Sequence, residues 1–266
     1  SKMKKFLVIG NPIEHSLSPK IHNYWMSLHN IKAIYEKALL NQNELKEIIK
    51  EVKSDKIDGL NITLPFKKAI IPLLDELTPL AKETRSVNTV FKKDGKIFGE
   101  NTDANGFKKA IQYTNFETKN KSALILGAGG VVTSIIYALK RLGVSKIFVS
   151  NRTKKYAEEI KKIYSDIEVI DWGVIKDIDV VINATSLGLN ETDVIDIDLK
   201  SFGKNKLFYD LIYNPPRTNF LQKAEKLGNQ VENGKMMFAY QAQLSFCIWN
   251  GIEPKVDEKV IKILND

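Results

Sequence analysis

The chain has 266 residues, more than a single hydrophobic core usually holds, so two domains are expected. Hydrophobic residues make up 43% of it and charged residues 27%, a balance that is ordinary for a globular protein and argues against disorder. The net charge of +8 is spread over many lysines without a basic cluster or an aromatic-interleaved stripe, so no nucleic-acid partner is expected.

The first hundred residues alternate strand-like and helix-like segments. Apolar patterning predicts strands over residues 6–10 and 57–63 and helices over residues 19–30 and 43–52. Residues 65–77 are predicted to be helical, with a kink or early end at Pro72. Residues 90–99 predict a hairpin that turns at Asp94-Gly95.

The rest of the chain predicts strands and helices in regular alternation. Short apolar strands are predicted at residues 123–126, 146–150, 180–183 and 206–212. Helices are predicted over residues 130–142, closed by Gly143, and over residues 235–249 and 257–264. Short buried strands between helices indicate an α/β fold with parallel sheets covered on both faces.

A glycine-rich turn follows the strand at residues 123–126. Gly127 permits a tight turn, Gly129 lets the backbone approach a pyrophosphate, and the N–H groups of the next helix face the negative charge. The third fingerprint position is Val132 rather than glycine or alanine. On these residues alone, a dinucleotide site and a plain glycine turn remain equally open.

The end of the next strand decides between them. A fingerprint for NAD expects an acidic residue about twenty positions on, whereas this chain has Ser150-Asn151-Arg152-Thr153-Lys154. Arg152 offers a charged donor fork to a ribose 2′-phosphate, although it could also be an ordinary surface charge. In a chain with only four arginines we interpret Arg152 as indicating NADP rather than NAD.

Polar side chains cluster in three segments of the first hundred residues. Ser16 and Ser18 are spaced to point the same way from a turn and suit a substrate carboxylate, although Ser18 before Pro19 also has the pattern of a helix N-cap. Asn61 and Thr63 alternate onto one side of a strand end, with Lys67 beyond them. The third segment contains Asp103, which alone could be an N-cap.

The three histidines lie at intervals of seven. Seven residues of helix span about 10 Å, too far for His15, His22 and His29 to bind one metal ion, and no metal site is expected.

Taken together, the segments resemble the shikimate dehydrogenase family over nearly the whole chain and in the family's order. The matching segments are residues 10–19 (GNPIEHSLSP), 61–67 (NITLPFK), 87–89 (VNT), 101–103 (NTD), 127–130 (GAGG), 151–153 (NRT), 183–188 (NATSLG), 210–215 (DLIYNP) and 234–241 (GKMMFAYQ). Arg85-Ser86 departs from the usual Gly-Ala before VNT, and Val131-Val132 replace smaller residues of the glycine turn.

The resemblance implies roles for individual residues. Lys67 and Asp103 would be the catalytic pair, and Ser16 and Ser18 would hold the substrate carboxylate. The ring of the substrate would be surrounded by Asn61, Thr63, Asn88, Tyr213 and Gln241. NADP would be bound by Gly127, Ala128, Gly129, Gly130, Val131, Asn151, Arg152, Thr153, Lys154, Thr185, Ser186, Leu211, Gly234 and Met237.

The resemblance also implies a domain arrangement. An N-terminal α/β substrate domain would comprise residues 1–103 and 238–266, so that the C-terminal helices return to it. A Rossmann-like, doubly wound NADP domain would comprise residues 104–237.

The implied reaction is the reversible NADPH-dependent reduction of 3-dehydroshikimate to shikimate, in aromatic amino-acid biosynthesis. Lys67 would donate the proton or only stabilise the developing alkoxide. The alternatives are a quinate or shikimate dehydrogenase, a dehydrogenase for another carboxylic acid of the same superfamily, and a non-catalytic NADP-sensing protein. A monomer or homodimer is expected.

Two features bear on the compartment. The longest apolar window, residues 123–139, is broken by the glycine turn and predicts no membrane span, and the run at residues 6–9 is too short for a signal peptide. Cys247 is the single cysteine, which excludes an intrachain disulfide and is typical of a reducing compartment. We therefore expect a cytoplasmic protein.

Overall fold

The computed structural model describes residues 2–266, which divide into two compact units. One unit comprises Ser1–Gly106 and Ala239–Asp266, and the other comprises Phe107–Phe238. Each unit contains a six-stranded sheet with helices packed against it. The predicted α/β fold with two domains, whose C-terminal helices return to the first, is confirmed.

The helices and strands alternate along the chain. In order they are β1 (Lys4–Gly10), α1 (Ser18–Leu28), β2 (Ala33–Leu39), α2 (Leu45–Lys53), β3 (Gly59–Ile62), β4 (Glu76–Leu77), α3 (Pro79–Thr84), β5 (Thr89–Lys93), β6 (Lys96–Glu100), α4 (Asp103–Tyr113), β7 (Ser122–Leu126), α5 (Val132–Arg141), β8 (Lys146–Ser150), α6 (Lys154–Ile163), β9 (Glu168–Val169), β10 (Val180–Asn183), β11 (Leu207–Asp210), α7 (Asn219–Lys226), β12 (Gln230–Glu232), α8 (Lys235–Asn250) and α9 (Glu258–Asn265). Single 3-10 turns occupy Gln42–Glu44, Ile71–Leu73 and Leu199–Phe202.

The first sheet is mixed, in the order β2-β1-β3-β5-β6-β4. β1 runs parallel to β2 and β3, whereas β5 is antiparallel to both β3 and β6. The predicted hairpin at Asp94-Gly95 is confirmed as the β5–β6 connection, with φ values of 52° and 76° at the two turn residues. A purely parallel sheet is therefore wrong for this unit, because the hairpin reverses one strand.

The predicted helix over residues 65–77 is wrong. The segment forms turns, the 3-10 turn at Ile71–Leu73 and the short strand β4. Pro72 lacks an N–H donor and disfavours helical backbone in the residue before it, which opposes a helix through the middle of this segment. Phe66 and Ile70 still bury their side chains in the core, which is why the apolar spacing imitated a helix.

The second sheet is wholly parallel, in the order β12-β11-β10-β7-β8-β9. The chain passes from β7 to β8 on one side of the sheet and later places β10 on the other side of β7. Open α/β sheets bind their ligands at the carboxyl ends of strands beside such a reversal of strand order. The glycine turn follows β7 and lies at this edge.

Two glycines bring α8 against the first sheet and α4. A Cβ atom on Gly59 would lie 2.4 Å from Nε1 of Trp249, and one on Gly106 would lie 2.9 Å from the backbone N of Gln241. Side chains from the end of the chain therefore reach the strands formed by its beginning. Across residues 2–266, none of the helices combines the length and the apolar character needed to cross a membrane.

Candidate active site

Lys67 and Asp103 form a shielded ion pair in the first unit. Lys67 Nζ lies 2.7 Å from Asp103 Oδ2, and the two side chains are 17% and 8% exposed. A tight turn from Thr63 to Phe66 carries the chain out of β3, and Val87 N donates to the Lys67 carbonyl, which fixes the backbone there. A charge-assisted hydrogen bond of this length is among the stronger polar contacts in proteins.

The start of α4 explains why Asp103 is available for this pair. The helix begins at Asp103 itself, and the Ala104 N–H donates to Asn101 Oδ1 at 3.1 Å. Asn101 Nδ2 in turn donates to the Thr84 hydroxyl at 2.9 Å. The alternative role of Asp103 as an N-cap is therefore wrong, because Asp103 is already helical and Asn101 accepts the N–H bond of Ala104.

Ser16 and Ser18, at the start of α1, do not form the N-cap that the sequence pattern indicated. Ser18 is the first residue of the helix, and the N-cap position is Leu17, whose side chain makes no capping bond. Instead Ser18 N donates to Ser16 Oγ at 3.2 Å. Because that bond uses only a lone pair of Ser16, the Ser16 proton can still be donated elsewhere. Ser18 is buried and Ser16 is half-buried.

Asn61, Asn88 and Gln241 meet in one buried polar network. Asn61 Nδ2 lies 3.1 Å from the Asn88 carbonyl oxygen, and Asn88 Nδ2 lies 3.5 Å from Gln241 Oε1. Thr102 holds the Asn88 amide from both sides, at 2.7 Å in each case. Thr63 directly follows β3, the strand that carries Asn61. Its methyl carbon packs against Gly10, where a Cβ atom would lie only 2.4 Å away from it.

Sequence reasoning missed the partners that orient these amides. Ser245 of α8 lies 3.1 Å from Asn61 Nδ2 and 2.7 Å from the Thr89 hydroxyl, and the Tyr35 hydroxyl lies 2.6 Å from Asn61 Oδ1. Tyr35 belongs to β2, a strand that was not predicted because most of its side chains are exposed. A serine inside the short apolar run of residues 244–248 was the available signal for Ser245.

The glycine turn of the second unit is shaped to receive an anion. Gly127 has φ of +117° and its N–H donates to the Ser150 carbonyl; a Cβ there would lie 2.8 Å from the Ala184 oxygen. A Cβ on Gly129 would meet nothing within 4 Å, so its outer face is open. The N-cap residue of α5, Val131, makes no side-chain capping bond. The first N–H groups of α5 thus suit phosphate oxygens.

The Arg152 side chain contacts two side chains from other loops, those of Asp196 and Trp172. Its Nη2 lies 2.9 Å from Asp196 Oδ1, and its guanidinium lies 5.5 Å from the ring centre of Trp172. The Trp172 indole N–H also donates to Asp196 Oδ1 at 2.9 Å, and these bonds from Trp172 and Arg152 lower the pKa of Asp196. Lys154 is paired likewise, with Asp171 at 3.0 Å. Asn151 Nδ2 donates to the Thr153 carbonyl at 2.9 Å, which closes the loop.

The loops after β10 and β11 are tied together below their surface. The Thr185 hydroxyl donates to Asn183 Oδ1 at 2.6 Å, and Asn183 Nδ2 donates to the buried carboxylate of Asp210 at 3.1 Å. Burial raises the pKa of Asp210 to about 6. This chain of contacts fixes the loop that carries Thr185 and Ser186.

Other predicted residues of the second unit lie near these loops. A Cβ on Gly234 would lie 1.9 Å from the Leu211 oxygen, so only glycine permits this approach. Met237 is buried in the first turn of α8. Tyr213, predicted to contact the substrate, belongs to the second unit and packs against Phe238 at 5.3 Å between ring centres. Within the described part of the chain, no group of three or more His, Cys, Asp or Glu side chains is placed to hold a metal ion.

Comparison with known proteins identifies relatives along the whole chain. The profile described as shikimate dehydrogenase substrate binding domain matches residues 8–90, and the one described as shikimate / quinate 5-dehydrogenase matches residues 109–212. The shikimate dehydrogenase (NADP(+)) of Pelagibacter ubique (strain HTCC1062) is 56% identical over 262 residues, covering 98% of this chain and 99% of the relative.

Solved structures agree with the sequence comparison. The shikimate dehydrogenase of Aquifex aeolicus superposes with a TM-score of 0.93 at 37% identity, over 99% of this chain and 98% of that chain. The shikimate 5-dehydrogenase of Thermus thermophilus, in complex with NADP(H) and shikimate, superposes with a TM-score of 0.88 at 33% identity over 95% of both chains. The predicted family resemblance is confirmed.

Proposed function

Because the chain belongs to the shikimate dehydrogenase family, we propose that it catalyses the reversible NADPH-dependent reduction of 3-dehydroshikimate to shikimate, in the pathway to the aromatic amino acids. It is an NADP-dependent oxidoreductase that acts on a CH–OH group. The observation that carries the proposal is the partly buried 2.7 Å pair of Lys67 and Asp103, in which Lys67 follows the strand end that carries Asn61 and Thr63.

Reduction of a ketone needs a hydride at carbon and a proton at oxygen. When bound, the cofactor supplies the hydride. The Lys67 ammonium group donates a proton to the carbonyl oxygen as the alcohol forms. Asp103 accepts a hydrogen bond from Lys67 and directs the ammonium group. In the reverse direction Lys67 takes the proton back.

The substrate is proposed to be held at two ends. Ser16 and Ser18 hold the carboxylate, since hydroxyl groups can donate to it without adding a full charge. The ring and its hydroxyls are surrounded by Asn61, Thr63, Asn88, Tyr213 and Gln241. The network through Thr102 supports this assignment because it fixes which way the Asn88 amide faces.

The second unit fits NADP by the shape and charge of three loops. The open face of Gly129 and the uncapped start of α5 suit the pyrophosphate, with Gly127, Ala128, Gly130 and Val131 completing the turn. Arg152 and Lys154, with Asn151 and Thr153, suit the 2′-phosphate. The nicotinamide is assigned to the residues at the other loop ends, which are Thr185, Ser186, Leu211, Gly234 and Met237.

We extend the proposal to organisation and compartment. Residues 1–103 and 238–266 form the substrate-binding and catalytic domain, and residues 104–237 form the NADP domain. The enzyme acts in the cytoplasm as a monomer or homodimer, without nucleic-acid or membrane partners. The single cysteine, which can form no intrachain disulfide, supports a reducing compartment.

Quinate is a second candidate substrate. The profile that matches residues 109–212 covers both shikimate and quinate 5-dehydrogenases. Quinate carries an added hydroxyl on the carbon that bears the carboxylate, next to the proposed Ser16 and Ser18 anchor.

The test is a steady-state assay of NADPH absorbance with shikimate or quinate crossed against NADP or NAD. We expect turnover with shikimate and NADP to exceed the other three combinations. Preference for quinate would move the enzyme to the second candidate. Specific NADP binding without turnover of either acid would identify a non-catalytic NADP-sensing protein.

A further inference from the structure

Tyr35 is the one residue of the edge strand β2 whose side chain is buried. β2 pairs only with β1, and Tyr35 is 1% exposed while its neighbours in the strand are exposed or half-buried. Edge strands leave backbone groups unpaired. Here Asn23 of α1 satisfies both such groups of Tyr35, donating to its carbonyl and accepting from its N–H at 2.9 Å each. The backbone of Tyr35 is therefore fixed.

Aromatic packing fixes the Tyr35 ring as well. The imidazole of His22 stacks on it with ring centres 4.5 Å apart and planes 4° apart, and Trp249 lies 6.2 Å away. Burial lowers the pKa of His22 to about 3, so a neutral ring lies against the phenol at neutral pH. The Tyr35 hydroxyl thus points in one direction, towards Asn61.

The direction of each hydrogen bond follows from one backbone carbonyl. Asn61 Nδ2 lies 3.1 Å from the Asn88 carbonyl oxygen, which can only accept, so the amide nitrogen must be on that side. Asn61 Oδ1 then faces Tyr35, whose hydroxyl must donate across 2.6 Å.

These bonds leave the Asn61 side chain able to accept one more hydrogen bond but not to donate one. Its two N–H groups have protein acceptors, which are the Asn88 carbonyl and the hydroxyls of Ser245 and Thr89 at 3.1, 3.1 and 3.3 Å. Its oxygen has two lone pairs, and Tyr35 occupies one. Towards a substrate, Asn61 can therefore only accept. A hydroxyl that stays a hydroxyl during the reaction matches this, whereas the carbonyl under reduction does not.

We propose that Tyr35 is a positioning residue that holds Asn61 as the acceptor for a ring hydroxyl of the substrate that takes no part in hydride transfer. This rests on the proposed function, in which the oxidised position is C3 and the unreacting hydroxyls are at C4 and C5. Such a contact is equally strong in the ground state and the transition state, so its loss changes KM and leaves kcat nearly unchanged.

The test compares Tyr35→Phe with Phe6→Leu. Phe6 packs on Trp249 in the same aromatic cluster, at 4.8 Å between ring centres, so its substitution loosens the packing and keeps the Tyr35 hydroxyl. For Tyr35→Phe we expect KM for shikimate to rise roughly 3- to 10-fold, the range for one neutral hydrogen bond, with kcat within about twofold. For Phe6→Leu we expect lower thermal stability and an unchanged KM.

Substrate analogues separate positioning from a general structural effect. With 4-deoxyshikimate or 5-deoxyshikimate, the ratio of KM between Tyr35→Phe and wild type should fall to about one for the analogue that lacks the hydroxyl accepted by Asn61. A ratio unchanged for both analogues, or a KM increase shared by Phe6→Leu, would overturn the role of Tyr35. Wild-type enzyme inactive on shikimate would instead refute the proposed function itself.

Discussion

The two units each contain a cation paired with a carboxylate at a proposed functional site, and the pairs differ in solvent exposure. The side chains of Lys67 and Asp103 are 17% and 8% exposed, whereas those of Arg152 and Asp196 are 53% and 64% exposed. The separations are similar, at 2.7 and 2.9 Å. Distance alone therefore does not distinguish the two pairs.

The solvent exposure of each ion pair fits its proposed role. Water and salt screen an exposed pair, so Arg152 can exchange Asp196 for an incoming phosphate at little cost. A shielded pair is held more firmly, and it places the Lys67 ammonium group in one position against the substrate. The first pair therefore suits the positioning of a proton donor, and the second suits the exchange of one anion for another.

Removal of Lys67 should have the largest effect. Lys67→Ala is expected to reduce kcat by about 10²–10⁴-fold, the range for general acid–base catalysis, which corresponds to roughly 3–5.5 kcal/mol. Equilibrium binding of shikimate should change much less. Lys68→Ala is the matched control, since Lys68 is the next residue and is exposed. Weakened binding with nearly normal kcat would make Lys67 a substrate anchor.

Coupling between Lys67 and Asp103 should be the next largest effect. Asp103→Asn is expected to lower kcat, and the double variant Lys67→Ala/Asp103→Asn should lose less than the two single losses added together. The reason is that each single change already removes the ion pair between the two side chains. The measurement is kcat for all four enzymes of the cycle. Additive losses would show that the two groups act separately.

Removal of Arg152 should affect one cofactor only. Arg152→Ala is expected to weaken NADP binding roughly 10- to 100-fold, because a charge-assisted contact to the 2′-phosphate is lost, and to leave NAD binding nearly unchanged. Titration calorimetry with both cofactors measures this. Arg217→Ala is the control, since Arg217 is also exposed and paired with a carboxylate, that of Glu225. Equal weakening of both cofactors would remove Arg152 from the selection of NADP.

The smallest expected effect belongs to Asp196. Asp196→Asn removes the charge that competes with the phosphate for Arg152, so NADP should bind up to about fivefold more tightly at low salt, and the gain should shrink as salt is raised. Asp177→Asn makes the same charge change at another exposed position of the second unit. Weaker NADP binding in Asp196→Asn would mean that Asp196 orients Arg152 rather than competing for it.

The second unit was more predictable from sequence than the first. The buried parallel strands β8 and β10 are continuous apolar runs, and both have the predicted bounds. β2 was missed because an edge strand with one buried residue has little apolar pattern. Residues 65–77 were misread because buried side chains on consecutive turns can repeat at helical spacing.

Local sequence patterns could predict those parts of the site that form between residues close together in the chain, and no others. Lys67 and Asp103 are 36 positions apart, and only the family resemblance paired them. Ser18 has the local pattern of an N-cap, yet Ser16 accepts the N–H bond instead. The contact of Ser245 with Asn61 spans 184 positions, and no local pattern encodes such a contact.

The first unit is made of two separate stretches of the chain, and this affects the order in which the two units can fold. Domains generally complete their folding as the chain leaves the ribosome, beginning from the N-terminus. The second unit is continuous over Phe107–Phe238, so it can close before the last helices have left the ribosome. The first sheet must wait for α8, because Trp249 covers Gly59 and donates to the Val90 carbonyl at 3.1 Å. We therefore expect the half proposed to bind NADP to mature first during translation, although the other half is made earlier.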